Sequence, residues 1–225
     1  MVAAIKLDII FGRLRPRERL IEDEICARFS ASRHATRSAF VELERLGLVT
    51  RRPNKGAIVR DFSVREVEEI YDMRAFLQAE AVRRIPLPAA PKLLAALEEV
   101  HARYRKAIGQ RSLQKVCTLN NEFHRTIFAA CNNRYLADII ERMWTETLAI
   151  RCYAIGDPLL LQRSEHEHTE MIQTLRHGHR EALVRLTINH IYPALEAYKR
   201  AHGGWMLDEP TALARPVPEI MEAGT

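Results

Sequence analysis

Long apolar runs are missing from this sequence. Stretches such as Leu159 to Leu161 fall far short of the roughly 20 residues that a membrane-crossing helix needs, which leaves no membrane partner to expect. A secretory leader is not expected either. The segment Met1 to Phe11 is apolar with one Lys and one Asp, without a basic stretch followed by a small-residue cleavage site. Cysteine is scarce. Cys26, Cys117, Cys131 and Cys152 are widely spaced with no C-x-x-C pair, which argues against a disulfide framework or a thiolate metal site and for free thiols in a reducing cytoplasm. There is no internal repeat, and beyond residue 62 no segment alternates like a strand. What remains is a chain of 225 residues, 47% hydrophobic and 28% charged, the profile of a soluble globular protein of one or two domains.

The charge is unevenly placed. Residues 1–61 carry 13 Lys and Arg against 8 Asp and Glu, whereas the remainder carries 21 of each. The whole positive excess therefore sits in the first quarter. Such a local basic field is the electrostatic footprint of a nucleic-acid-binding module joined to a neutral one; charge alone fits a solvated basic face equally well.

The residue pattern of that quarter favours the first reading. Ala3 to Phe11 reads as a short helix closed by Gly12, and Leu14 to Leu20 as an extended connector. A second helix spans about Glu22 to Phe29, with Ile25, Cys26 and Phe29 at core spacing. Ser32 then caps a third helix reaching Leu46, which buries Ala39, Phe40, Leu43 and Leu46 and stops at Gly47. Leu48 to Arg52 and Ala57 to Arg60 read as two strands around a Pro53-Asn54-Lys55-Gly56 turn. Two short helices, a tight turn and a basic hairpin describe a winged helix-turn-helix. Arg33 and Arg37, four apart, share one face just after the Ser32 cap, where a guanidinium can bond a guanine or clamp a phosphate. Arg51, Arg52 and Lys55 on the hairpin can reach the backbone or minor groove, and Gly56 allows close main-chain approach.

These residues resemble the GntR family of regulators over Leu20 to Val59, through Ser32-Arg33-His34-Ala35-Thr36-Arg37-Ser38-Ala39-Phe40, Leu43-Glu44-Arg45-Leu46-Gly47-Leu48-Val49 and Gly56-Ala57-Ile58-Val59. The chain departs from the family pattern at His34-Ala35, where Thr-Pro is usual, and at Pro16-Arg17, where Pro-Gly is usual.

From Ser63, whose pairing with Glu66 forms a capping box, every long segment has a helical period. Helices are expected at 63–85, 91–109, 112–131, 133–154, 160–177 and 179–202, the last kinked at Pro193. The expected organisation is mostly α: a winged helix-turn-helix over residues 1–61, an all-α bundle over 62–203 and a flexible tail over 204–225.

The bundle carries a second signal. Asn120 and His124 lie on the apolar stripe of their helix, His168 on that of 160–177 and His190 on that of the last helix. Buried polar groups need partners. An amide oxygen and three imidazoles make a good first shell for a divalent ion, with zinc expected and nickel or manganese as alternatives. His101, His166, His177, His179 and His202 read as surface residues. The four-residue spacing resembles the helical ligand-binding (FCD-type) domain of the FadR branch of the GntR family, through Asn120-Asn121-Glu122-Phe123-His124, Glu167-His168 and Asn189-His190-Ile191. That resemblance implies metal roles for Asn120, His124, His168 and His190. Arg74 and Arg151 fall where such domains often carry arginines, making them candidates for contacting an effector; each also reads as an arginine at the surface or between helices.

The expected function is that of a homodimeric, cytoplasmic transcription regulator, not an enzyme, that binds an inverted-repeat operator in double-stranded DNA. It would respond to a small carboxylate effector. The alternative is a metal-dependent hydrolase or lyase with a basic accessory domain, for which Glu165 is the best available general base.

Overall fold

The computed structural model describes residues 1–52 and 55–202; the Pro53-Asn54 part of the expected turn and the expected tail at 204–225 lie outside the described residues. Ten helices and three short strands appear among them: α1 Val2–Ile10, β1 Arg19–Leu20, α2 Glu22–Phe29, α3 Arg33–Arg45, β2 Val49–Arg52, β3 Gly56–Val59, α4 Val64–Arg84, α5 Pro91–Gly109, α6 Leu113–Ala129, α7 Arg134–Glu146, α8 Leu148–Ile155, α9 Pro158–His177 and α10 Arg180–His202. The order is that of a winged helix-turn-helix followed by an all-α bundle.

Local chemistry sets most boundaries. The Ser32 hydroxyl accepts from Ala35 N at 3.2 Å and starts α3, and Ser63 accepts from Glu66 N at 3.1 Å and starts α4. Each supplies an acceptor to an otherwise orphaned helix-terminal N–H. Helix α3 turns Phe40 and Leu43 inward against Ile5, Leu20, Ile25 and Val59 and buries Ala39.

The structure departs from the sequence reading in three places. The connector before α2 is not merely extended. Its end pairs antiparallel with β3, Arg19 opposite Ile58 and Leu20 opposite Ala57, giving a sheet of order β1-β3-β2. The single helix expected at 133–154 is two, α7 and α8, divided at Thr147. There the Trp144 carbonyl accepts from Arg151 Nη2 at 3.0 Å and lies 3.4 Å from Thr147 Oγ1, which also donates to the Met143 carbonyl. Side chains thus take a carbonyl that an unbroken helix would use for its own ladder. His101, expected at the surface, is buried, with Nε2 3.0 Å from Thr169 Oγ1.

The two parts are joined by more than the chain. Ala149 of α8 packs against the N-terminal core, and Arg60 donates to Glu66 at 2.7 Å. Phe62, Val67, Tyr71, Ile150, Ile191 and Leu195 form a cluster that draws α4, α8 and α10 together beneath the junction.

Two features of the N-terminal part lend themselves to measurement. Gly56 has φ +78°, and a Cβ there would run into the Leu20 carbonyl. The close main-chain approach that Gly56 permits here is thus to β1 of its own sheet. Gly56→Ala is expected to cost about 1–3 kcal/mol through strain and loss of the β1–β3 pairing, read as a lower Tm; an unchanged Tm contradicts the assignment. Asp8 is buried and accepts from Arg13 and Arg28. Burial pushes its carboxyl pKa up, but the hydrogen bonds and charges of the two arginines outweigh this and hold it below the ordinary 3.8. A lowered carboxyl pKa stabilises the fold above the unfolded-state value, and that contribution is lost as pH falls through the lowered one. Asp8→Asn should therefore cost about 1 kcal/mol at neutral pH, the arginines being half exposed and screened, and the difference from wild type should vanish on acidification through that range.

Candidate functional site

The candidate DNA-reading face is built from α3 and the β2–β3 hairpin. Arg33 and Arg37 stand out from α3 with their side chains about two-thirds exposed, and Arg51, Arg52 and Lys55 are exposed on the hairpin. Periodicity did not reveal that the arginines are already engaged by acids. Arg33 pairs with Asp23 at 2.8 Å, Arg37 with Glu22 at 3.0 Å and Arg51 with Glu44 at 2.6 Å. Exposed pairs of this kind contribute little net stability, so phosphate or a base edge can replace the carboxylate at small cost. Meanwhile Glu22 and Asp23 keep the guanidiniums gathered over the start of α3.

The second site lies inside the bundle. His124 (α6), His168 (α9) and His190 (α10) bring their ring nitrogens within 4.8 Å of one another. His124 Nε2 is 3.0 Å from His190 Nε2 and 3.1 Å from His168 Nε2. Phe123 stacks on the His168 ring with centroids 4.1 Å apart, and Trp144 packs on His124 at 4.8 Å. Burial, then the neighbouring imidazoles, hold His124 and His168 well below the ordinary histidine pKa. They are neutral, the form that donates a lone pair to a metal.

Glu167 is the residue that sequence reasoning missed. It is buried and accepts from His190 Nδ1 at 2.6 Å and from Arg163 Nε at 2.7 Å. The first bond places a proton on His190 Nδ1 and turns Nε2 toward the other two rings. A carboxylate behind a histidine is the usual way of orienting a metal-binding imidazole. The available signal was spacing, because Glu167 lies four residues before buried Met171, on the core face of α9.

A neutral imidazole donates from one nitrogen only, so three converging Nε2 atoms cannot satisfy one another. The buried Nδ1 of His168 also has no hydrogen-bond partner among the described residues. A divalent cation fits this donor set: it accepts all three lone pairs, and nitrogen ligands suit zinc and its borderline neighbours.

Asn120, one turn before His124, lines the adjoining cavity of about 60 Å³ together with His190, Arg74, Trp144 and Arg151. Both arginines are buried rather than at the surface. Arg151 donates to the Asn121 amide oxygen at 2.8 Å and to the Trp144 carbonyl at 3.0 Å. Arg74 lies over the rings of Tyr71 and Trp144. Glu165, the expected base of the hydrolase reading, instead pairs with Arg105 at 2.9 Å and is part exposed. Glu167→Gln is expected to weaken zinc binding about tenfold or more, the usual effect of removing an outer-shell carboxylate. A competition titration with a chromogenic chelator measures it, and wild-type affinity in the variant contradicts the positioning role.

Comparison with known proteins converges on the same architecture. The family model for bacterial regulatory proteins of the gntR family matches residues 1–59, and that for the FCD domain matches residues 69–192. The HTH-type transcriptional repressor RspR of Escherichia coli K12 is 23% identical over 211 residues, 91% of each chain. The Nta operon transcriptional regulator of Aminobacter aminovorans is 27% identical over 154 residues, 68% of this chain and 72% of that one. A GntR transcriptional regulator from Rhodococcus sp. RHA1 shares the fold at a TM-score of 0.71 and 23% identity, over 89% of this chain and 96% of that one. McbR/YncC of E. coli does so at a TM-score of 0.68 and 19% identity, over 89% and 95%. These relatives are regulators rather than enzymes, and no helix among the described residues is long and apolar enough to cross a membrane. With a winged helix-turn-helix ahead of an FCD domain, the chain belongs to the GntR family of bacterial transcription regulators.

Proposed function

We propose that this regulator is a cytoplasmic homodimeric repressor whose bundle holds a divalent ion, zinc by preference over nickel or manganese, and releases or grips its operator in response to a small carboxylate. The observation that carries this reading is the convergence of His124, His168 and His190 on one point beside a cavity lined by Asn120, Arg74 and Arg151. Asn120 would complete the protein's share of the coordination shell through its amide oxygen. Four neutral ligands leave the ion's charge uncancelled, so an anionic oxygen donor is favoured in the remaining positions. Arg74 and Arg151 would contact the same effector.

The route to the DNA-binding part runs through α8. Arg151 reaches into the cavity, and Ala149, two residues earlier, packs on the N-terminal core. An effector that engages Arg151 in one arrangement of α8 better than in another shifts the balance between them, and with it the seat of the winged helix-turn-helix. Two copies are needed to read an inverted repeat. The exposed apolar side chains Met73 and Phe76 on α4 and Tyr135 and Ile139 on α7 offer a second copy a surface to cover. RspR, a relative named as a repressor, supports that sense of regulation.

On DNA, Ser32 sets the start of α3, Arg33 and Arg37 read base edges, and Arg51, Arg52 and Lys55 with the Gly56 turn take phosphate or minor groove. Arg33→Ala and Arg37→Ala should each weaken operator binding by about 1–3 kcal/mol and relax one operator position, in protein that remains folded. Fluorescence anisotropy on operator and scrambled duplexes checks this, and operator affinity that stays at wild type in both variants removes α3 from the model. His168→Ala should lose the ion and the effector response while basal operator binding persists. A metal-free variant that still responds to effector contradicts the reading.

A further inference from the structure

His101 is a buried polar side chain that neither site yet uses. It sits on the core face of α5 and is 8% exposed. Burial lowers its pKa below the ordinary 6.5, so at neutral pH one ring nitrogen carries a proton and the other a lone pair. Its hydrogen bond decides which. Nε2 lies 3.0 Å from Thr169 Oγ1, and that hydroxyl donates its only proton to the Glu165 carbonyl at 3.2 Å. Thr169 can therefore only accept, which puts the imidazole proton on Nε2. Nδ1 is left as a bare acceptor, buried and without a hydrogen-bond partner among the described residues.

His168 presents the complement. Its Nε2 is turned toward His124. When that lone pair goes to a cation, the proton stands on Nδ1, and this atom too is buried and unpartnered among the described residues. The two rings are neighbours. Their centres are 5.9 Å apart, edge to face, and both lie against Phe123. A donor and an acceptor, each costly to leave unmatched in the interior, thus sit on adjoining rings. The spacing suits a bond made by a small turn of either side chain, or across one buried water. His190 shows the same kind of support, its outer nitrogen donating to Glu167. Metal-binding imidazoles usually hand their outer N–H to such an acceptor.

We propose that His101 is a positioning residue of the metal centre: its Nδ1 accepts the hydrogen bond of His168 Nδ1–H and holds His168 as an Nε2 ligand. This rests on the divalent-ion reading above and deepens it, adding an outer partner on α5 to the one that Glu167 supplies on α9.

The test is made on the full chain, labelled with nitrogen-15 and loaded with zinc. Ring nitrogen–proton correlations should show His168 protonated on Nδ1 and His101 on Nε2; a His101 proton on Nδ1 overturns the proposal. Two variants separate positioning from packing. His101→Phe keeps the volume and loses the acceptor, whereas the amide oxygen of His101→Gln can take the same bond. In competition with a chromogenic chelator, His101→Phe should bind zinc about tenfold or more weakly, and His101→Gln should return to within about threefold of wild type. The His168 Nδ1 proton should exchange faster with solvent in His101→Phe. Equal zinc affinity in wild type and both variants overturns the proposal and leaves the ion site standing. If His101→Phe does not fold, the wild-type tautomers and His101→Gln still decide. Wild type that takes up no zinc overturns the divalent-ion reading and this proposal with it.

Discussion

The bundle is arranged around three imidazoles whose ring nitrogens converge in its interior. His124, His168 and His190 come from three helices, and each Nε2 is a poor partner for the other two. Packing accepts this because the surroundings are chosen for it. Phe123 and Trp144 clamp the rings, and Glu167 takes the outer nitrogen of His190. Burial keeps His124 and His168 uncharged. Remove the need to hold a cation at that point and the polar centre becomes a liability, because buried polar groups without partners are costly. The helices that carry the histidines, α6, α9 and α10, are thereby held in register with the cavity that opens beside them.

The same economy links the cavity to the reading head. Arg151 breaks the helix that would otherwise run from α7 into α8 by claiming the Trp144 carbonyl, and the short helix so released carries Ala149 into the N-terminal core. One side chain thus lines the cavity, interrupts a helix and belongs to the element that packs on the N-terminal core. On the outer face, the pairing of Arg33, Arg37 and Arg51 with acids of their own domain holds the guanidiniums in place without locking them, since such exposed pairs exchange readily for phosphate.

Much of this was legible in the sequence because it follows from periodicity and capping. Ser32 and Ser63 announced helix starts that the structure keeps, the core face of α3 was visible in the spacing of Ala39, Phe40 and Leu43, and the histidines stood out as polar residues on apolar stripes. What escaped depends on tertiary partners. The β1–β3 pairing needs Leu20 to meet Ala57 across the domain, the break at Thr147 needs a guanidinium from the next turn, and His101 is buried only because α5 lies on α9, where Thr169 meets it. Glu167 carried a helical-spacing signal that its charge masked, since an acid beside Arg163 reads as an ordinary surface pair until His190 is placed against it.

The central claim is that the three imidazoles hold a metal through Nε2, oriented by Glu167. Anomalous diffraction from crystals of the zinc-loaded protein, collected above and below the zinc absorption edge, tests it most directly. The account predicts one strong peak about 2.0–2.1 Å from the Nε2 atoms of His124, His168 and His190, with His190 Nδ1 still bonded to Glu167. A map without a peak among the three rings, or with the ion on any Nδ1, would contradict it.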